Sequence, residues 1–227
     1  MIFKQVFDKK SSTFTYLIAS SEGREALIID PVIENVDNYI QLLNELDLKL
    51  VKVIDTHIHA DHVTGASKLK DKTKCITIMG DHTPADSVEI KVKDGEHIKL
   101  DQLELRAIYT PGHTSDSFSF LMNDYLFSGD TLLINGTGRT DFQNGNAKDA
   151  YDSIFNKLLK LPDETLLYPA HDYKGENVST IGKEKKLNPR LQVENVNQYI
   201  EIMNDLNLQK PVSLDFNISS NLKLGAV

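Results

Sequence analysis

The chain has 227 residues, 40% of them hydrophobic, and a formal net charge of -8 at pH 7. Its length predicts a single folded domain over residues 1–227 with a sizeable core. The negative balance opposes the general attraction to polyanions, so we expect no nucleic-acid partner. No apolar run reaches the length of a transmembrane helix and the first residues lack the pattern of a signal peptide, which predicts a cytoplasmic protein without membrane contact.

The predicted elements alternate between strands and helices, which indicates a mixed α and β fold. Apolar runs bounded by turn residues predict strands at residues 13–19, 26–29, 52–54, 76–79, 103–109, 117–121, 125–127 and 165–168. Apolar residues at helical spacing predict helices within residues 36–46, 147–159 and 196–206, each suited to packing on a sheet. The tail from 209 to 227 has few charges and several apolar residues, so we expect it to pack against the body of the protein.

Three residues with reactive side chains are predicted to take no part in the chemistry. Cys75 is the only cysteine, so no internal disulfide can form, and its strand-like surroundings predict a buried and inert thiol. His82 and His97 lie in polar segments and are predicted to be at the surface.

The most informative segment follows the apolar run 50–54 and reads Thr56-His57-Ile58-His59-Ala60-Asp61-His62. In an extended segment His57 and His59 point the same way, while Asp61 and His62 fall where the chain is expected to turn. Neutral imidazole is the commonest metal ligand in proteins, and a carboxylate is a good second type. The segment therefore predicts a metal site.

Predicted strands repeatedly end beside a potential metal ligand. The strand that ends at residue 54 leads into the histidine-rich segment, and those that end near 109, 128 and 168 lead to His113, Asp130 and His171. Small residues and proline beside these ligands suit tight turns at the edge of a sheet. We therefore expect one sheet edge to gather these side chains around a bound ion.

The order His-x-His-x-Asp-His, then one His, one Asp and a last His, resembles the metallo-β-lactamase superfamily. This resemblance implies an α+β fold, namely a four-layer αββα sandwich with metals at one edge between two sheets. It also implies the ligands of a dinuclear site. One metal would be held by His57, His59, His113 and Asp130, and the other by Asp61, His62, His171 and the bridging Asp130.

Several segments carry a narrower resemblance. They are Ser-Thr-Phe-Thr-Tyr-Leu at 12–17, the histidine-rich segment extended to 65, Gly-Arg-Thr-Asp-Phe-Gln at 138–143, Tyr-Pro-Ala-His-Asp-Tyr at 168–173 and Leu-Asn-Pro-Arg at 187–190. Together they are similar to the ETHE1-type persulfide dioxygenases, and the likeness, which includes residues 207–211, covers nearly the whole chain.

The narrower resemblance implies a single Fe(II) and a reaction that oxidises glutathione persulfide with O2 to sulfite and glutathione. By this resemblance the iron ligands are His57, His113 and Asp130. The other four members of the metal motif would then lie next to the iron centre or contact water; they are His59, Asp61, His62 and His171.

This ligand set fits the implied chemistry. Two histidines and one carboxylate on one face of iron leave the opposite positions open, as in non-haem Fe(II) oxygenases. The deprotonated persulfide sulfur is soft and a natural ligand, so the protein would supply mainly placement and electrostatics.

The candidates for binding the substrate are Arg139 and Tyr173. Because glutathione is an anion, Arg139 is expected to bind one of its carboxylates, and Tyr173 to offer a hydroxyl group. The alternatives are an ion pair between Arg139 and nearby Asp141 that fastens the loop, and a stacking or core role for Tyr173. Lys174 is a weaker cationic candidate.

Two further functions remain open at this stage. A dinuclear zinc or mixed-metal thioester hydrolase of the glyoxalase II type would use the same ligands, with a metal-bound hydroxide attacking the acyl carbon. Against it, such proteins have a helical C-terminal domain, whereas the residues after His171 predict one clear helix. A metal or redox sensor is the other candidate, disfavoured because no DNA-reading basic helix is evident.

The sequence leaves the carrier of the persulfide open among glutathione, coenzyme A, bacillithiol and other small thiols. Homodimers occur among the proteins that this chain resembles.

Overall fold

The structure, a computed structural model, describes residues 1–226 and contains two six-stranded sheets. The first sheet holds its strands in chain order. They are β1 (Ile2–Asp8), β2 (Thr13–Ala19), β3 (Glu25–Ile29), β4 (Lys49–Ile54), β5 (Ile76–Gly80) and β6 (Ile90–Val92). The first three run antiparallel to one another, and β3 to β6 run parallel.

The second sheet begins with β7 (His97–Leu100), β8 (Leu103–Tyr109), β9 (Phe118–Met122) and β10 (Tyr125–Gly129). A separate two-stranded hairpin follows, formed by β11 (Leu132–Leu133) and β12 (Gly136–Thr137). The chain then returns to the second sheet with β13 (Leu166–Pro169) and β14 (Ser179–Thr180), and the spatial order is β14-β13-β10-β9-β8-β7. Within it only β10 and β13 pair in parallel, which brings the ends of these two strands to the same edge.

Helices cover the outer faces of both sheets. They are α1 (Val36–Glu45), α2 (Ala66–Thr73), α3 (Ala147–Asn156), α4 (Ile181–Leu187), α5 (Val196–Asn204) and α6 (Leu214–Asn221). Short 3-10 turns lie at Ile33–Asn35, Leu158–Lys160 and Pro189–Leu191. Helix α3 starts where its sequence predicts a cap, since the Asn146 side chain accepts hydrogen bonds from the backbone amides of Lys148 and Asp149.

Three apolar layers hold the fold together. The layer between the two sheets is rich in aromatic residues, among them Phe118, Phe120 and Phe127. A second layer joins α1 and α2 to the first sheet, and a third joins α3 and α5 to the second sheet. Central strands such as β2 are buried on both faces, whereas β1, β6 and β7 are partly exposed. The predicted four-layer αββα sandwich is confirmed.

The strands predicted from the sequence agree with the structure to within a few residues, whereas several elements were missed. Strand β1 was missed because it is only half-buried along its length. Helix α2 was missed because only Ala66 and Leu69 of its eight residues are buried. The tail packs as expected through α6 and the buried Leu224, although Val227 lies outside the described residues.

The predicted burial of Cys75 and the predicted surface positions of His82 and His97 are confirmed. Cys75 is buried immediately before β5, and burial raises the pKa of its thiol, in keeping with an unreactive side chain. The imidazoles of His82 and His97 are about half exposed, at 48% and 47%.

The packing of α3 on the second sheet generates a prediction for stability. Ile154 is fully buried between this helix and the sheet, so Ile154→Ala is expected to lower the free energy of unfolding by about 2–5 kcal/mol. Val212 is 87% exposed, and Val212→Ala is expected to change it by less than about 0.5 kcal/mol. Urea denaturation measures both values, and equal effects would contradict the layer assignment.

Candidate metal centre

Strand ends assemble the candidate metal centre. Strands β4, β8, β10 and β13 end at Ile54, Tyr109, Gly129 and Pro169, each within a few residues of a predicted ligand. The structure brings all seven side chains of the motif into one continuous cluster, as the strand-end argument predicts; they are His57, His59, Asp61, His62, His113, Asp130 and His171.

One group in this cluster consists of His57, His113 and Asp130. Each offers a ligand atom, and these atoms lie within 4.8 Å of one another. Two donors bound to one ion at bond lengths of about 2 Å lie at most about 4 Å apart. Nε2 of His113 lies 3.4 Å from Oδ2 of Asp130. These three residues are therefore arranged to hold one metal ion.

A second group adjoins the first and consists of His59, Asp61 and His62. The rings of His57 and His59 are 4.3 Å apart between centroids, and those of His59 and His62 are 4.4 Å apart. His171 joins both groups, because its Nε2 lies 3.5 Å from Asp61 Oδ2 and 3.6 Å from Asp130 Oδ2.

Hydrogen bonds to backbone carbonyls fix the tautomers of two of the histidines. Nδ1 of His113 lies 2.7 Å from the carbonyl oxygen of Arg139, and Nδ1 of His171 lies 3.0 Å from that of Ser12. Because a carbonyl oxygen only accepts, each Nδ1 carries a hydrogen, which leaves Nε2 as the ring atom that can bind a metal. Histidines that bind metals are oriented in this way.

Asp30, which the sequence analysis missed, orients two more histidines. It accepts a hydrogen bond from the Thr56 hydroxyl at 3.0 Å, and that hydroxyl accepts one from Nδ1 of His57, also at 3.0 Å. The other carboxylate oxygen of Asp30 lies 3.1 Å from Nε2 of His59. The sequence does contain a signal for Asp30. This residue directly follows the end of β3, just as the other candidate ligands follow the ends of strands.

Burial keeps the first imidazoles neutral. Loss of hydration, reinforced by the neighbouring His59 and His113, lowers the pKa of His57 well below its ordinary value. Burial likewise lowers the pKa of His59 to about 3. At neutral pH both rings therefore carry a free lone pair, which is the form that binds metals.

The carboxylates stay ionised in spite of burial. Burial acts to raise the pKa of Asp130, but the imidazoles of His171, His113 and His57 outweigh it and lower the pKa. The pKa of His171 is raised well above its usual range, since Asp130 and Asp61 outweigh the opposing effect of burial. The neutral imidazoles of His57 and His59 thus lie beside the anionic carboxylate of Asp130.

Unpaired polar atoms support the presence of a metal. Nδ1 of His59, Nε2 of His62 and Oδ1 of Asp130 are buried and have no hydrogen-bond partner among the described residues. Buried polar atoms have hydrogen-bond partners in most native structures. Three unpaired atoms of the kinds that bind metals, all in one cluster, therefore indicate that an ion belongs there.

The turn around Gly138 requires a residue without a side chain. A Cβ at this position would come within 2.0 Å of the carbonyl oxygen of Asp130 and 2.9 Å of the His113 ring. Glycine therefore allows the segment that follows β12 to lie directly against the candidate ligands.

A cavity of about 550 Å³ opens onto the cluster. Its wall includes His113, Asp130 and His171, together with the hairpin loop and part of the strap, the segment 205–213 that joins α5 to α6. Apolar side chains such as Leu133 and Phe142 also line it. A concave, partly apolar site beside reactive groups is the usual form of a small-molecule site.

Arg139 lies at this cavity and uses most of its donors within the protein. Its guanidinium binds both oxygens of Asp141 at 2.7 Å and the carbonyl oxygens of Gln209 and Leu208 at 2.7 and 3.2 Å. It also stacks 4.2 Å from the ring centroid of Phe142. The ion pair with Asp141, the alternative considered from the sequence, is present.

Arg190 extends the set of candidates that line the cavity, beside Tyr173 and Lys174, which the sequence predicts. Arg190 donates to the carbonyl and hydroxyl oxygens of Thr137, which are neutral and leave its charge uncompensated by these bonds. Its segment was recognised in the sequence, but its position at the cavity was not. Tyr173 is 72% exposed and stacks on His171, with ring centroids 5.9 Å apart. Lys174 also lines the cavity.

The sandwich and its edge site define a known class of protein. The family model described as the metallo-beta-lactamase superfamily matches the chain over residues 9–87 and 80–171. The chain therefore belongs to this superfamily. Within the described residues, no helix combines the length and the apolar character needed to cross a membrane.

Comparison with individual proteins narrows the class. The human protein named persulfide dioxygenase ETHE1, mitochondrial, is 41% identical over 99% of this chain and 89% of its own length. The crystal structure of ETHE1 from Myxococcus xanthus matches with a TM-score of 0.97 at 46% identity, covering 99% of this chain and 100% of that one. A hydroxyacylglutathione hydrolase of Dictyostelium discoideum is 29% identical over 92% of this chain and 78% of its own length. Within the superfamily, this chain belongs to the ETHE1 persulfide dioxygenase family.

The grouping of ligands generates a prediction for metal binding. His113→Ala removes one donor of the first group and is expected to lower metal retention after desalting by at least about tenfold. His82→Ala changes an exposed histidine away from the cluster and is expected to leave it unchanged. Metal content per chain, measured by plasma emission spectroscopy, checks both, and full retention in the His113 variant would reject this ligand assignment.

Proposed function

We propose that this chain is a persulfide dioxygenase, which oxidises the terminal sulfur of a small thiol persulfide with O2 and one water to sulfite and releases the free thiol and two protons. The observation that carries the proposal is the group of two histidines and one carboxylate facing a cavity, in a chain of this family. This donor set is the one used by non-haem Fe(II) oxygenases.

His57, His113 and Asp130 are the proposed ligands of one Fe(II) per chain. When bound, the iron supplies the redox chemistry and the coordination positions that bring persulfide sulfur and O2 together. The carboxylate of Asp130 contributes negative charge to the site, and the backbone carbonyl of Arg139 holds the His113 ring in the tautomer that ligation needs.

The rest of the motif is proposed to act beside the metal ligands. His59 and His62 present unpaired, buried nitrogens, and His171 and Asp61 contact each other at 3.5 Å. These groups are suited to orient water and to hold or transfer protons as the persulfide is oxidised. No protein nucleophile is required.

The cations of the cavity are proposed to bind the anionic part of the substrate. Arg139 remains a candidate for a carboxylate, but most of its donors are already used within the protein. Arg190 lines the same cavity, and within the described residues its side chain donates only to the neutral oxygens of Thr137, so it is a second candidate. Glutathione persulfide is the substrate that we test first.

One observation favours a second candidate function. The unpaired nitrogens of His59 and His62, next to Asp61, suit a second metal ion, as in a dinuclear thioester hydrolase with two Zn(II) or mixed metals. The relative named hydroxyacylglutathione hydrolase is, however, less similar to this chain than the ETHE1 proteins are.

Three statements about this chain remain predictions from the sequence. They are a single domain over residues 1–227, a cytoplasmic location and a homodimer. The name of the human relative places that protein in mitochondria.

The two candidate functions make opposite predictions for the same sample. Protein reconstituted with Fe(II) without oxygen is expected to hold about one iron per chain and to consume O2 when given glutathione persulfide. S-lactoylglutathione is expected to remain uncleaved. An oxygen electrode and the absorbance of the thioester measure these outcomes; two metals per chain with thioester cleavage and no O2 uptake would instead establish the hydrolase.

Kinetic measurements on two variants test whether Arg139 and Arg190 bind the substrate. Arg190→Ala is expected to raise KM for glutathione persulfide about tenfold or more, with iron content and kcat little changed, because it removes a bond to the carboxylate of the substrate. Arg139→Ala is expected to raise KM as well if its guanidinium leaves Asp141 to bind substrate. Steady-state O2 uptake measures both variants, and an unchanged KM in either one excludes that residue.

A further inference from the structure

Helix α6 presents a polar face to the metal loop, which we define as residues 55–65 between β4 and α2. Asn217 and Asn221 lie one helical turn apart on this face, and they are only 6% and 2% exposed. A helix normally buries apolar residues, so two buried amides directed at the same loop call for a specific purpose.

Asn221 binds three backbone groups of the metal loop at once. Its Nδ2 donates to the carbonyl oxygens of His59 and His62, each at 2.8 Å, and its Oδ1 accepts from the backbone amide of Thr64 at 2.9 Å. Both hydrogens of the amide are thus used. The amide side chain bridges the two ends of the segment 59–64, which otherwise belongs to no helix and contains only an isolated bridge at Thr64.

Neighbouring contacts hold Asn221 itself in place. Asn217 donates from Nδ2 to the carbonyl oxygen of Ala60 at 2.9 Å, on the same loop. The carbonyl oxygen of Leu224 accepts from the backbone amide of Ser67 at 2.9 Å, and the Leu224 side chain is buried in the core. The end of α6 is therefore fastened to the metal loop through Asn217 and to the start of α2 through Leu224, which limits the movement of Asn221 relative to the loop.

We propose that Asn221 is a positioning residue, which fixes the backbone of residues 59–64 and thereby the direction in which the imidazoles of His59 and His62 face the metal site. Asp30 fixes the His59 ring from its far side, and Asp61 contacts Nδ1 of His62 at 2.9 Å. Backbone and ring are thus held by different partners, and the unpaired nitrogens of both rings point inward only if both supports are present.

The effect on turnover rests on the proposed function, in which His59 and His62 act beside the iron. Because Asn221 contacts none of the three proposed iron ligands, its replacement is expected to leave iron content unchanged. A loss of orientation in the groups beside a metal typically costs 10–100-fold in activity. We therefore expect kcat to fall about tenfold or more in Asn221→Ala, with KM unchanged.

The test uses the full chain and reads the histidines directly. In the metal-free protein, the ring nitrogen signals of His59 and His62 in NMR spectra are expected to shift in both Asn221→Ala and Asn221→Asp, while those of His82 and His97 stay in place. Asn221→Asp keeps the shape and the acceptor but removes both donors. Ser219→Ala, on the exposed side of the same helix, is the matched control and should change none of these signals.

Each outcome decides the proposal. Unchanged signals of His59 and His62 in the Asn221 variants would overturn it, even if the melting temperature of the variants falls. Shifted signals with kcat preserved, at a temperature where the variant is folded, would instead contradict the proposed role of His59 and His62 beside the iron. Should neither variant fold, scalar couplings across the hydrogen bonds from the Asn221 amide to the carbonyl carbons of His59 and His62 in the wild-type protein decide instead, and their absence overturns it. Lack of O2 uptake by the wild-type protein would contradict the proposed function alone, because the NMR readout does not depend on it.

Discussion

The metal loop is held by side chains from distant segments rather than by regular secondary structure. Oxygens of Asp30 and Asp116 accept from the backbone amides of Thr56 and Ile58, and Gln143 donates to the carbonyl oxygen of Ile58. Asn221 completes the set at residues 59–64. Because each buried backbone group left unpaired costs about 1–3 kcal/mol, these bonds decide whether the loop keeps one conformation.

These supports come from different parts of the fold, so the loop depends on the complete sandwich. Asp30 follows β3 of the first sheet, whereas Asp116 lies in the connection between β8 and β9 of the second. Asp116 is 4% exposed, and burial raises the pKa of its carboxyl group, which its hydrogen bonds only partly offset. A buried acid of this kind is costly in isolation and is retained where it fixes a functional geometry.

The sequence predicts the framework and the donors but not the supports. The ends of the strands can be recognised in the sequence because the apolar runs stop near Ile54, Tyr109 and Pro169. The candidate ligands follow within a few residues of each end. Helix α6 could not be predicted in this way, because the residues that it buries include Asn217, Ser220 and Asn221, and the signal for a helix is a buried apolar stripe. A hydrogen bond between a side chain and a backbone group that is distant in the sequence leaves no periodic pattern of residues.

Relatives of this chain are named both persulfide dioxygenase and hydroxyacylglutathione hydrolase, so the fold alone does not select the reaction. The selective features must lie where the donors meet the cavity, and Arg139 occupies that position. Its backbone carbonyl orients the His113 ring, while its guanidinium holds the strap through the carbonyl oxygens of Leu208 and Gln209. One residue thus joins a candidate ligand to the wall of the cavity, and a shift of the strap that moves the backbone of Arg139 also moves the acceptor that sets the orientation of that ligand.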